Sequence, residues 1–316
     1  MHAAVVTAFD TPPRYREIPT PRPQAPDEIL VDVIAAGLHP RVRSQADGSH
    51  YTSSGRLPLV PGIDGVGRGA DGVPRYFVLP ETTMGAMAEQ TVVDQRRSVT
   101  LPADADPVLV AAAMNPVMSS WLALRRRIHF EPGQTVLVLG ATGSSGRMAV
   151  QVAKHLGASH VIGAGRDPRR LAALSELGAD ATVRLDDADG ADALARAACD
   201  VDVVVDYLWG PPTASVMATI VTNRSDRGKP LTWIEIGSVA GGTAAIPSAA
   251  LRAARLQLVG SGQGSVPTRD ILAELPAIAA EITSGAFRID AVAVPLADVE
   301  QAWQDTETEQ RIVFAP

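Results

Sequence analysis

The rhythm of apolar and polar positions changes twice along this chain. Over the first hundred residues, short β-branched runs are broken by clusters of Pro, Gly and Asp. This predicts strands over 3–8, 28–36, 76–80, 88–93 and 98–102. The Pro-rich stretch 11–26 reads as an extended edge or a loop. Near Asp106 the pattern becomes an alternation of continuous apolar runs with helix-period segments. Asp106 and Pro107 are set to cap and open a helix over 108–127. Strands follow at 135–139, 160–164, 181–184, 201–206, 231–237 and 256–260. Helices fall between them at 146–156, 168–177, 191–198 and 213–221, the first two stopped by Gly157 and Gly178. Strands that are apolar throughout and alternate with helices signal a parallel sheet covered on both faces. Beyond it, a helix over 269–283, strands over 289–295 and 311–315, and a helix over 296–305 resemble the front of the chain more than its middle. The expected organisation is therefore a middle domain, 108–264, inserted into a discontinuous outer domain made of 1–107 and 265–316.

Composition narrows this picture. A length of 316 residues corresponds to about two domains. Aromatics are only 4%, so the cores must be aliphatic. A net charge of −7 argues against non-specific binding to nucleic acid or to an anionic membrane. The single cysteine, Cys199, excludes a disulfide framework and a Cys-rich zinc lobe. The first residues lack a basic segment followed by an apolar one, and no apolar run approaches the ~20 residues of a membrane span. A cytoplasmic protein is the expectation.

The strongest local motif is Val136-Leu-Val-Leu-Gly140-Ala141-Thr142-Gly143-Ser144-Ser145-Gly146-Arg147. It follows a strand and opens a helix, the context in which a Gly-rich turn binds a dinucleotide. Gly143 lets the backbone approach a pyrophosphate, and Gly146 permits close packing of helix on strand. The next strand runs Val161-Ile162-Gly163-Ala164-Gly165-Arg166. An NAD site usually ends this strand with a carboxylate for the ribose hydroxyls. Here Gly165 stands in that place and Arg166 follows, a pairing suited to the 2′-phosphate of NADPH. Asp167 is placed to cap the following helix, and Arg170 is a second candidate for the phosphate. Gly237, Ser238, Gly260 and Ser261 end later strands, where backbone contacts to the nicotinamide half are expected.

With these residues in view, the chain resembles the medium-chain dehydrogenase/reductase superfamily, in its zinc-free quinone oxidoreductase branch. Further markers are Glu28-Ile-Leu-Val-Asp-Val-Ile-Ala-Ala-Gly37, Leu57-Pro58-Leu59-Val60-Pro61-Gly62-Ile63-Asp64-Gly65-Val66-Gly67, Gly85-Ala-Met-Ala-Glu89 and Glu131-Pro-Gly133-Gln-Thr-Val136. The resemblance spans nearly the whole chain and implies an α/β fold. A discontinuous GroES-like β-rich catalytic domain would be joined to a Rossmann cofactor domain with a doubly wound parallel sheet. Zinc enzymes of this superfamily use a Cys, a His-Glu pair and a later Cys or His around a catalytic metal. The matching positions here are His39, Ile63-Asp64, and Asn115 or Pro116. Ile63 cannot bind a metal, and two remaining donors do not make a catalytic site, so no bound metal is expected. Many zinc-free members carry Asn-x-x-Asp where this chain has His39-Pro40-Arg41-Val42, which marks the substrate side as atypical.

Without a metal, hydride delivery to a quinone or an activated alkene needs donors for the developing oxygen charge. None of the four tyrosines has a Lys four residues on, so the Tyr–Lys pair of short-chain ketone reductases is absent. The donor candidates are His39, Tyr51 and Asn115. Each also has a structural alternative: a satisfied buried histidine, a surface loop aromatic and a polar residue at a helix kink. Ser119 matches a position near the nicotinamide ribose, and Tyr207 and Trp209 are candidates either for an apolar pocket or for core packing. The expectation is a zinc-independent NADPH-dependent oxidoreductase acting on a quinone or enone, a homodimer paired along strand 256–260. The alternatives are a zinc-free alcohol dehydrogenase or ketone reductase of the same fold, or a non-catalytic NADPH-binding sensor.

Overall fold

The computed structural model describes residues 1–80, 82–305 and 308–316. The chain divides into two compact units, Met1–Asn115 with Leu272–Pro316, and Pro116–Ile271. These limits fall a few residues beyond the expected ones, inside two long helices.

The first unit is built on antiparallel strands. β1 (His2–Val5) pairs with β2 (Arg14–Glu17), so the Pro-rich stretch supplies an edge strand. A seven-stranded sheet contains β3 (Glu28–Gly37), β4 (Asp64–Arg68), β5 (Pro74–Val78), β6 (Gln90–Asp94), β7 (Ser98–Thr100), β14 (Ala291–Pro295) and β15 (Arg311–Ala315). Its order is β14-β15-β3-β4-β5-β7, with β6 also pairing β3, so the tail of the chain completes the sheet begun at its front. The sequence reading omitted β4 and the short helix α1 (Pro40–Ala46). β4 reads Asp-Gly-Val-Gly-Arg, which has a single β-branched residue. Its glycines are there for close approach: a Cβ on Gly67 would lie 2.7 Å from the Asp32 carbonyl oxygen. The core beneath gathers Val31, Phe77, Met87, Leu296, Val299 and Phe314.

α2 (Pro107–Leu122) opens as expected, with Asp106 accepting from the Val108 and Leu109 N–H groups at 2.8 and 3.2 Å. It ends at Leu122 and continues as a wider π-type turn through Arg127. One expectation is corrected here. The segment Pro107–Arg127 is long and apolar enough to cross a membrane by length and composition alone. Its most apolar window is 67% buried within the protein, as in the central helix of a packed domain.

The second unit holds six parallel strands: β8 (Thr135–Leu139), β9 (His160–Gly165), β10 (Ala181–Arg184), β11 (Val203–Asp206), β12 (Leu231–Glu235) and β13 (Leu256–Gly260). Their order is β10-β9-β8-β11-β12-β13. The chain winds outward in one direction from β8 to β10 and in the other from β11 to β13. The direction reverses between β8 and β11, and in such sheets ligands bind outside the carboxyl ends of the strands at that reversal. The helices include α3 (Ser144–His155), α4 (Pro168–Ala172), α5 (Gly190–Ala198), α6 (Gly210–Asn223) and α7 (Ser248–Ala253), the last not anticipated from sequence. α8 (Thr268–Thr283) carries the chain out of this unit, and α9 (Val299–Gln304) lies in the first. Leu137, Leu139, Ile162, Val204, Met217 and Trp233 form the core of the second unit.

Candidate functional site

β8 is apolar because both faces are covered, and it stops where Gly140 turns the chain with φ of 80°. The turn is held by Gly143 N–H on the Gly140 carbonyl and by the Gly140 and Ala141 N–H groups on the Ala164 carbonyl, each at 3.0 Å. Gly143 then occupies the N-cap of α3 in an extended conformation, with no side chain to cap it. The N–H groups of a first helical turn have no intrahelical acceptor and carry the positive end of the helix dipole. A Cβ on Gly146 would sit 2.2 Å from the Gly140 carbonyl oxygen and 2.7 Å from Ala141 Cα. Only glycine lets α3 start this close to the turn. Ala141 is buried beneath, while Gly143 and Ser144 are exposed and Thr142 and Ser145 are half-buried. The arrangement is a cradle for a pyrophosphate.

At the end of β9, Gly165 is again fixed by space: a Cβ there would lie 2.6 Å from Thr142 Cγ2 and 2.9 Å from its Oγ1. Arg166 is exposed and forms no close salt bridge among the described residues, although its charge helps to hold the Asp186 carboxyl down. Asp167 accepts from the Arg169 and Arg170 N–H groups at 2.9 and 3.1 Å, so it is the cap of α4. Arg170 lies 3.4 Å from Asp167, a pairing that divides its charge between the cap and any phosphate. These residues fit a nicotinamide dinucleotide.

The far side of the strand-order reversal is organised by Asp206, the last residue of β11, which is fully buried. Its Oδ1 accepts from the Leu208 and Trp209 N–H groups at 2.8 and 3.1 Å. Its Oδ2 accepts from Thr213 Oγ1 at 2.6 Å and from Trp233 Nε1 at 2.9 Å. The sequence reading did not single out Asp206, although a lone charge closing an all-valine strand was a signal that it must be satisfied. Tyr207 and Ser119 are brought together, their hydroxyls 2.9 Å apart. Burial pushes the Tyr207 phenol up to about 12, against the smaller lowering effect of its serine hydrogen bonds. Tyr207 is thus a packed side chain, the second of the two alternatives given for it above. Trp209 is half-buried. Gly237 donates from its N–H to the Asp206 carbonyl at 3.2 Å, and Ser238 beside it is exposed. The Gly260 carbonyl is taken by Arg127 Nε at 2.7 Å, and Ser261 is buried with its N–H on the Glu235 carbonyl at 2.8 Å. Glu235, also missed, is a half-buried carboxyl raised by burial and by the nearby Asp206 charge.

The donor candidates all lie in the first unit. His39 is 2% exposed, and its Nε2 is 3.2 Å from Asp64 Oδ1, while Tyr76 donates to Asp64 Oδ2 at 2.6 Å. Burial lowers the imidazole pKa although Asp64 opposes it, and Nδ1 has no hydrogen-bond partner among the described residues. In this geometry the hydrogen bond that His39 makes is directed at Asp64. Tyr51 is 70% exposed on the loop after α1, its ring centroid 4.3 Å from that of His50. Asn115 is half-buried on α2, next to the in-helix Pro116. As a metal site this set fails. His39 and Asp64 bond each other, the second Asp64 oxygen is taken by Tyr76, and Ile63 offers no donor. Among the described residues no three His, Cys, Asp or Glu side chains converge.

Comparison with known proteins agrees with this geometry. The family described as Zinc-binding dehydrogenase matches residues 146–279. The Emericella nidulans protein named "Probable NADPH-dependent quinone reductase tdiC" is 33% identical over an alignment covering all of both chains. The Arabidopsis thaliana "NADPH-dependent alkenal/one oxidoreductase, chloroplastic" is 27% identical over 50% of this chain and 45% of its own. Among solved structures, the quinone oxidoreductase of Thermus thermophilus, also determined in complex with NADPH, superposes with a TM-score of 0.84 at 24% identity over all of both chains. The fold, the glycine cradle and the full-length similarity together make this chain an oxidoreductase belonging to the medium-chain dehydrogenase/reductase superfamily, in its quinone oxidoreductase branch.

Proposed function

We propose that the chain is a zinc-independent, NADPH-dependent reductase of quinones or activated alkenes. The observation that carries this reading is the end of β9, where Gly165 and the exposed Arg166 replace the carboxylate that would repel a 2′-phosphate. The names of the Emericella and Arabidopsis relatives support the two acceptor classes. When bound, the cofactor supplies a hydride from its nicotinamide ring. The first turn of α3 would hold the pyrophosphate, Arg166 would bind the 2′-phosphate, and residues of the loops after β11 and β12 would face the nicotinamide half. Reduction leaves negative charge on the acceptor oxygen and consumes a proton. The candidates from this chain for donating to that oxygen are His39, Tyr51 and Asn115.

Zinc independence rests on the His39–Asp64–Tyr76 hydrogen bonds that occupy the donor positions. A homodimer rests on β13, an edge strand of the parallel sheet whose Leu258 is exposed. The test is NADPH oxidation with a series of quinones, enones and simple ketones after exhaustive chelation. Turnover on quinones or enones that survives chelation is expected. Turnover that returns only with added zinc, or activity confined to simple ketones and alcohols, overturns the reading.

A further inference from the structure

We propose that Asp206 is a positioning residue for the nicotinamide half of the cofactor site. It would act by holding the loop 207–210 in a shape the backbone does not adopt unaided, and this inference rests on the function proposed above. Trp209 has φ of 52° and ψ of −165°, and it is the one non-glycine residue with positive φ among the described residues. That region is essentially reserved for glycine, and a side chain persists there only when its surroundings over-determine it. The surroundings here are the carboxylate of Asp206. One oxygen takes the N–H groups of Leu208 and Trp209, and the other ties the same carboxylate to Thr213 on α6 and Trp233 on β12.

Each carboxylate oxygen of Asp206 accepts from two of these four donors at once. An asparagine would turn an N–H₂ toward one pair of them. No cation neutralises Asp206 among the described residues, so its charge is held by these donors alone.

The loop it shapes lies where the mechanism needs precision. Leu208 packs against Gly140, where a Cβ would be 3.1 Å from Leu208 Cδ2, so the loop after β11 touches the phosphate turn after β8. The loop after β12 is laid on it by Ala240 N–H to the Leu208 carbonyl at 2.8 Å and Val239 N–H to the Tyr207 carbonyl at 3.3 Å. A single buried carboxylate therefore sets the mutual placement of the strand ends that border the reversal of strand order, on the side away from Arg166. In a doubly wound sheet the adenosine half lies over the strand that carries the ribose contact, so the nicotinamide half falls on the Asp206 side.

The test separates the halves of the cofactor. Asp206→Asn and Asp206→Glu are compared with wild type and with Thr213→Val, which removes one donor but leaves both loop N–H bonds in place. Calorimetric affinities for NADPH and for 2′,5′-ADP, kcat with a quinone, and Tm are measured for each. The expected result is that whichever Asp206 variant folds binds 2′,5′-ADP within about twofold of wild type. Its NADPH affinity or kcat should fall by at least about tenfold, while Thr213→Val loses Tm but keeps both. A purely structural role predicts that NADPH and 2′,5′-ADP affinity fall together in step with Tm in all three variants. That outcome overturns the proposal, as does wild-type NADPH affinity and kcat in a folded Asp206 variant, or failure of both Asp206 variants to fold. If wild type binds neither ligand, the cofactor reading itself fails, and this inference with it.

Discussion

Gly146→Ala puts the phosphate cradle to the most direct structural test. The added Cβ would lie 2.2 Å from the Gly140 carbonyl oxygen and 2.7 Å from Ala141 Cα. Both are backbone atoms, so no side chain can swing away. A carbon and a carbonyl oxygen tolerate little less than ~3.2 Å, so α3 and the turn must separate by about 1 Å. Overpacking of this kind costs about 1–3 kcal/mol, partly offset by the better helix propensity of alanine, about 1 kcal/mol. The expected loss of stability is therefore modest, about 0–2 kcal/mol. The effect on the cofactor is larger. A 1 Å shift misaligns the first-turn N–H groups with the pyrophosphate, and losing one to two charge-assisted hydrogen bonds at about 1.5–3 kcal/mol each lowers affinity by roughly tenfold to a thousandfold or more. Calorimetric titration of NADPH, beside urea unfolding of the same protein, separates the two quantities. A Gly146→Ala variant that unfolds like wild type and binds NADPH with wild-type affinity would refute the assignment of this turn.

Further outcomes follow from the same geometry. Gly165→Asp alone should weaken NADPH without gaining NADH, because its Cβ meets Thr142 at 2.6 Å, whereas Gly165→Asp with Thr142→Gly should gain NADH affinity. Tenfold tighter NADH binding by the single variant would contradict this. Arg224 is buried and donates to the carbonyls of Cys199, Val201, Lys229 and Pro230, so Arg224→Met should cost about 3 kcal/mol in urea unfolding and Arg224→Lys less. A loss below about 1 kcal/mol for the methionine variant would show that these bonds contribute little. Glu235 has a folded pKa raised above its ordinary 4.5 by burial and by Asp206. Its stabilising contribution is thus full below 4.5 and is lost as pH rises through the folded value. Glu235→Gln should raise Tm at about pH 8 and change it little at about pH 4, and a Tm gain confined to acid pH would reverse the sign of this argument.

How much of this was legible in the sequence depends on how local the cause was. The β8 turn and α3 were readable because four apolar residues, a run of small residues and an amphipathic helix follow one another within a few positions. The cap at Asp167 was readable for the same reason, since its acceptors' partners are two and three residues away. β4 was hidden because its glycines exist to admit neighbouring strands, and that need is visible only once the strands are paired. The pairing of His39 with Asp64 spans 25 residues, so chain order gave no hint of it. Asp206 lay in plain sight at the end of a valine run, but one of its donors, Trp233, is 27 residues away. Its role is a property of the folded sheet ends and not of any window of sequence.

The central claim is a preference for NADPH set by Arg166, and calorimetric titration of NADPH and NADH into wild type and Arg166→Ala addresses it most directly. Wild type should favour NADPH, the variant should lose about 10- to 100-fold of NADPH affinity, and NADH affinity should be unchanged, since a charge-assisted contact to the 2′-phosphate contributes about 1.5–3 kcal/mol. Equal binding of NADH and NADPH by wild type, or an Arg166→Ala variant that keeps its NADPH preference, would contradict this.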